Sequence, residues 1–158
     1  MPKITTFLTY DDQAEAAAKL YTSVFENSRI TSVTRAGEAV MSVSFELDGH
    51  EFYALNGGPS FRFAEGISLF VSCETQQEID DWSAKLTADG GEQGPCGWLK
   101  DRFGVSWQII PRVLPELLGD KDPAKAQRAV QAMLGMRKLD IAELERAHAG
   151  QEKAVPRT

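Results

Sequence analysis

The sequence predicts an α+β fold in which two βαβββ modules lie end to end and a helical extension follows. Strand and helix signals come in the same order in residues 1–57 and 66–112, although the two halves share little identity. Turn pairs such as Asp48-Gly49 separate alternating runs, which marks hairpins. Beyond Pro111 the apolar residues recur only at helical spacing. We therefore read 1–112 as a single domain of two halves, 113–150 as a helical extension and 151–158 as a polar, fraying tail.

In the first half, residues 4–10 alternate weakly and form a strand that ends at Asp11-Asp12, a pair suited to cap a helix. Ala14, Ala17, Ala18, Tyr21 and Phe25 then recur on one helical face. A strand over 30–35 turns at Gly37. In 40–47, Val43, Phe45 and Leu47 alternate with Ser42, Ser44 and Glu46, the pattern of a half-buried strand. Asp48-Gly49 turns the chain into a strand over 51–56.

Asn56-Gly57-Gly58-Pro59 breaks the pattern, and 60–65 is a loop carrying Phe61 and Phe63. Residues 67–73 form a strand, and Thr75 caps a helix to about residue 88 with Ile79, Trp82 and Leu86 on one face. Asp89-Gly90-Gly91 stops it. The stretch GPCGWLKDRFGVSWQIIP, 94–111, reads as a hairpin of two strands, 98–100 and 105–110, around a tight turn. Its tryptophans bring a large apolar area that walls a core or a pocket. Pro115, Gly119 and Pro123 then punctuate a connector. Asp122-Pro123 opens a helix to about residue 136, with Ala126, Val130, Met133 and Leu134 inward, and Asp140 begins a last one to about residue 148.

Bulk properties exclude several classes. A 158-residue chain that is 42% hydrophobic and 25% charged is of ordinary globular composition. The net charge of −6, with no basic cluster ahead of the tail, argues against nucleic-acid and anionic-membrane partners. No run approaches a membrane span, and the first residues lack a signal peptide's apolar core. Two cysteines, Cys73 and Cys96, supply neither a disulfide framework nor metal-pair spacing. The expectation is a soluble cytoplasmic protein.

The opening ITTFLTYDDQAEAAAKLYTSVF, the middle GHEFYALNGGPSFRFAEGISLFVSCETQQEIDDW, the hairpin CGWLKDRFGVSWQIIP and the tail DPAKAQRAVQAMLGMRKLDIAELERA resemble the PhnB-like group. That group carries the name 3-demethylubiquinone-9 3-methyltransferase and lies in the vicinal-oxygen-chelate (glyoxalase/bleomycin-resistance) superfamily. The resemblance implies curved mixed sheets around a cleft and a homodimer. Catalytic members hold a divalent metal there with His and Glu side chains from the first and last strands of each half. By alternation the comparable positions here are Thr5, Asn56, Ser68 and Gln108, none of them imidazole or carboxylate. Ala54 is paired with Asn56 on that face, and Ile110 with Gln108. The residues 67, 69, 71 and 73 fall on the apolar underside. No cofactor is expected, and a divalent metal is the disfavoured alternative. The methyltransferase name calls for a glycine-rich strand-to-helix loop; Gly57-Gly58 leads into proline and Gly90-Gly91 ends a helix, so that activity is not expected either.

The candidate cleft thus comprises Thr5, Phe7, Thr9, Asn56, Ser68, Phe70 and Gln108, with Phe61, Phe63, Trp98 and Lys100 at its rim. Phe61 and Phe63 serve either as a lid with Trp98 or as an interface with a second chain. Lys100, Asp101 and Arg102 either grip an anion or are solvated at a hairpin tip. Cys96, with Lys100 near, is the candidate nucleophile, against its reading as a small turn residue. Glu65 is the candidate base, against a solvated loop carboxylate. The reading favoured is a homodimer that binds a small organic ligand; the alternative is a lyase, isomerase or dioxygenase-like enzyme on a small carbonyl compound.

Overall fold

The computed structural model describes residues 3–151, so the tail from residue 152 lies outside the described residues. The chain divides into two compact units: the residues up to Ala64 with Phe103–Val105, and Glu65–Arg102 with the residues from Ser106 on.

The first unit contains β1 (Thr6–Tyr10), α1 (Ala14–Val24), β2 (Ser28–Ala36), β3 (Ala39–Leu47) and β4 (His50–Asn56). The sheet order is β1-β4-β3-β2, with β1 and β4 parallel and the other pairs antiparallel. Alternation turns Leu8, Tyr10, Val43, Phe45, Phe52 and Ala54 to one face, where Ala14, Ala17, Ala18 and Tyr21 of α1 cover them. Small alanines let the helix approach closely, and the cross-strand pair Phe45 and Phe52 stacks at 5.0 Å. The ring of Phe103 meets Tyr10 and Tyr21 edge-on at 6.0 and 6.3 Å. The opposite face is open, with Phe7 and Tyr53 exposed.

The second unit contains β5 (Leu69–Cys73), α2 (Gln76–Thr87), β6 (Glu92–Gln93), β7 (Trp98–Lys100) and β8 (Ser106–Pro111), in the order β5-β8-β7-β6. The expected hairpin forms, with Trp98 opposite Gln108 and Leu99 opposite Trp107. Thr75 caps α2 in a capping box with Glu78. Ile79 and Leu86 of α2 are fully buried, as are Cys73, Trp107 and Ile109 of the sheet.

Three further helices follow: α3 (Val113–Leu118), α4 (Pro123–Leu134) and α5 (Ile141–Ala149). They enclose Ile110, Leu114, Leu117, Ala129, Leu139 and Leu144. Asp122 and Asp140 cap α4 and α5 through side-chain bonds to the amides of Ala124 and Glu143. The extension is tied to α2 as well. Gln76 donates to the Leu139 carbonyl at 3.0 Å and accepts from the Ile141 amide at 2.9 Å, and Lys138 pairs with Asp80 at 2.8 Å.

Several expectations are corrected. Residues 113–118, read as a connector, are helical, because Pro115 sits in the first turn, where its missing N–H costs no helix bond. Leu134 is 58% exposed, since Ala129 and Met133 occupy the packed side. Residue 67 is not in a strand: the ladder to β8 starts at Leu69, and Ile67 is 78% exposed. Ala54 faces α1, because Phe52 pairs inward with Phe45 and alternation carries 54 and 56 the same way. Ile110 is on the face opposite α2, as alternation predicts, but is buried there by the extension. α1 begins at Ala14 rather than on Asp11-Asp12, and Gln13 offers no side-chain cap.

Candidate functional site

In the second unit, the turn before β7 carries Pro95–Gly97, and its backbone is unusual. Cys96 adopts φ 57°, ψ 32°, a left-handed conformation that costs a non-glycine residue energy. Gly97 follows at φ 83°. The turn is held from the extension: the amides of Cys96 and Gly97 donate to the carbonyls of Met136 and Arg137 at 2.9 and 2.8 Å. The Cys96 thiol points to the Met133 carbonyl at 3.5 Å. Backbone bonds thus hold Cys96 in a conformation its own preference opposes.

Beside this turn lies a pocket of about 580 Å³. Cys96, Trp98 and Lys100 line it, with Glu65, Glu92 and Arg137 bringing further charge. Lys100 is ion-paired with Glu65, whose side chain is 72% exposed. That pairing holds the Glu65 carboxyl below its usual range and raises the Lys100 ammonium above its own. Arg137 donates to the Gln93 carbonyl, so two lining residues of the pocket are bonded to each other. The volume is that of a small-molecule site.

The sequence-predicted residues are distributed as follows. Glu65, Cys96, Trp98 and Lys100 meet at the pocket. Ser68 accepts from the Gln108 amide at 2.9 Å, and Phe70, opposite Gln108 in the ladder, is exposed. In the first unit, Thr5 is half-buried just ahead of β1. Phe7 packs edge-on to Tyr53 at 6.3 Å, and the Thr9 methyl lies so near Gly57 that a Cβ there would approach to 2.6 Å. Asn56 accepts from the Ala14 amide at 2.8 Å and donates to the Val40 carbonyl at 3.0 Å. Its amide therefore caps α1 in place of Asp11 or Asp12. Phe63 packs on Tyr10 at 5.1 Å, while Phe61 is exposed. Asp101 is not solvated but buried, accepting from the Trp107 indole at 2.9 Å.

Among the pocket residues that the sequence reading did not put forward are Glu92, Ser106 and Arg137. Strand alternation puts Ser106 on the same face as Gln108, which was the available signal for it. Nothing in the sequence signalled Arg137, which joins through a loop of the extension.

The four positions comparable to a chelate site do not fit a divalent metal. They offer two hydroxyls and two amides, and both amides are already engaged within their own units. Among the described residues no group of three or more His, Cys, Asp or Glu is placed to hold a metal ion. No described helix is long and apolar enough to cross a membrane.

The two cysteines differ in access. Cys73 is fully buried, and burial pushes its thiol up to about 12. Native protein treated with iodoacetamide near neutral pH is expected to gain a single adduct, at Cys96, by intact and peptide mass. Adducts on both thiols would show that the α2 face of the sheet opens.

A family model described as 3-demethylubiquinone-9 3-methyltransferase matches residues 2–110. A Bacillus cereus protein described as a 3-demethylubiquinone-9 3-methyltransferase, PhnB protein, is 38% identical, with a TM-score of 0.65, covering 70% of this chain and 99% of its own. A glyoxalase/bleomycin resistance protein from Albidiferax ferrireducens (16% identity, TM-score 0.50) covers 70% of this chain and 99% of its own. The fosfomycin resistance protein FosX from Listeria monocytogenes, complexed with Mn(II) and sulfate, matches at 16% identity and TM-score 0.52. It covers 69% of this chain and 92% of its own, and at such identity both it and the Albidiferax protein show the fold alone. No curated protein matches this chain. The family match and the tandem βαβββ units agree: the chain belongs to the 3-demethylubiquinone-9 3-methyltransferase (PhnB-like) family, and its fold is like that of the glyoxalase/bleomycin-resistance protein.

Proposed function

We propose that this protein binds a small organic molecule in the second-unit pocket, without a resident metal, and works as a homodimer. The observation that carries the reading is the pocket itself, where Trp98, Cys96 and residues of opposed charge line a space of about 580 Å³. Metal-independent binding needs only shape and polarity, and the neutral donor set at the chelate positions supports it. The methyltransferase name finds no support in the site. Gly57-Gly58 leads from β4 into a loop and Gly90-Gly91 follows α2, so neither pair forms a nucleotide-type loop at a helix N-terminus.

Catalysis on a small carbonyl compound is the second reading, favoured by the left-handed Cys96 at the pocket wall. Against it, the pairing with Lys100 makes Glu65 a weaker base.

Protein purified without chelator is expected to contain no stoichiometric metal, and Mn, Ni, Zn, Mg and Fe(II) should leave its Tm unmoved, while organic fragments that shift the Trp98 indole raise it. A stoichiometric metal lost on Gln108→Ala or Glu65→Ala would sink the proposal. Sedimentation of the full chain as a monomer at micromolar concentration would remove the dimer.

A further inference from the structure

We infer that the pocket ligand is a small planar carboxylate, its anion held by Arg137 and Lys100 and its ring laid against Trp98; the inference rests on the pocket reading above. Three observations lead there. First, the family match ends at residue 110, so Arg137 comes from a part of the chain outside the shared fold. Its loop is nonetheless fixed to the pocket wall by the bonds from the Cys96 and Gly97 amides. One donor of the Arg137 fork goes to the Gln93 carbonyl, which orients the planar group and leaves the others for an acceptor at the pocket edge.

Second, Lys100 already holds a carboxylate. Glu65 comes from an exposed loop, and an exposed ion pair contributes little and exchanges readily. The Glu65 carboxylate stands where a ligand carboxylate would enter, so binding trades one anion for another and leaves Lys100 paired.

Third, the same pocket that Lys100 and Arg137 line also has an apolar part, with Pro95, Cys96 and Trp98 among its lining residues. The half-buried indole supplies a flat surface suited to a ring. An anion on a ring engages both parts of the pocket at once, whereas a neutral ring gains nothing from the guanidinium donors that Gln93 leaves over.

The test compares benzoate with its neutral isostere benzamide, titrated into the full-length protein while the Trp98 indole N–H is followed by NMR, assigned with Trp98→Phe. Benzoate is expected to bind about tenfold more tightly than benzamide at low salt, with the difference shrinking as salt rises. Arg137→Gln should bring benzoate to within about twofold of benzamide and leave benzamide unchanged. Glu65→Gln, which touches no buried group, should tighten benzoate by removing its competitor. Equal binding of the two compounds, or equal loss of both in Arg137→Gln, would overturn the carboxylate assignment while the pocket reading stands. If neither compound moves the Trp98 signal at millimolar concentration, the pocket reading fails, and the assignment with it.

Discussion

Leu139→Ala is expected to lower stability by about 3 to 5 kcal/mol, the range for a leucine truncated in a core that cannot collapse. Leu139 is fully buried among Ile110, Leu114, Leu117, Ala129 and Leu144. Its backbone is pinned by the bond from Gln76, and the neighbouring Ile141 amide by the return bond to the same side chain. With the chain held on both sides, the cavity left by the missing methyls stays open. The loss is a large part of the 5–15 kcal/mol typical of a domain. Urea unfolding would read it as a lower midpoint at unchanged slope. Because the same loop carries Arg137, ligand binding should weaken along with stability. A cost under about 1 kcal/mol would mean that the extension is not part of the cooperative unit.

Gly97→Ala is the second large effect, at about 3 kcal/mol or more. Two terms combine. The left-handed φ of 83° costs any L-residue about 1–2 kcal/mol. The added Cβ would also sit 2.9 Å from the Ile109 carbonyl oxygen, 2.9 Å from Ile110 Cδ1 and 3.0 Å from Leu139 Cδ1. The carbonyl is backbone within β8 and cannot swing away, so the clash must move the turn. Gly37→Ala is the matched control, since it shares a positive φ of 65° but its Cβ would meet nothing within 4 Å. It isolates the conformational term, at about 1 kcal/mol. Comparing the two variants by chemical denaturation separates strain from packing. Equal costs would show that the close approach at Gly97 does not govern stability.

Both predictions concern the place where the extension meets the family fold, and that junction was the least legible part of the sequence. The hairpin at 98–110 was readable because its turn and its alternation agree on one structure. The α2 cap was readable because Thr75 and Glu78 form a local capping box. The tandem order of the halves was readable for the same reason, each element being declared by its own residues.

Asn56 shows where this local logic ends. Its place at the end of β4 suggested a ligand group, yet its amide is spent on the first turn of α1, 42 residues earlier in the chain. No window of sequence contains both partners. Ile110 is similar: alternation assigned its face correctly, but only packing revealed that α3, α4 and α5 cover that face. Cys96, Trp98 and Lys100 could be named as candidates because they lie close together in the chain on turn and strand signals, and Glu65 because it is an acid in a loop; that Glu65 pairs with Lys100 only the structure showed.

The sequence by itself thus determined most of the elements (α3 excepted), their order, the caps of α2, α4 and α5 and the hairpin that bears Trp98 and Lys100, because these depend on contacts a few residues apart. Tertiary structure alone decided that Asn56 is a helix cap, that Cys96 is held left-handed and that Arg137 reaches the pocket. Each of those rests on hydrogen bonds or packing between segments about 40 residues apart, where spacing along the chain carries no information about distance in space.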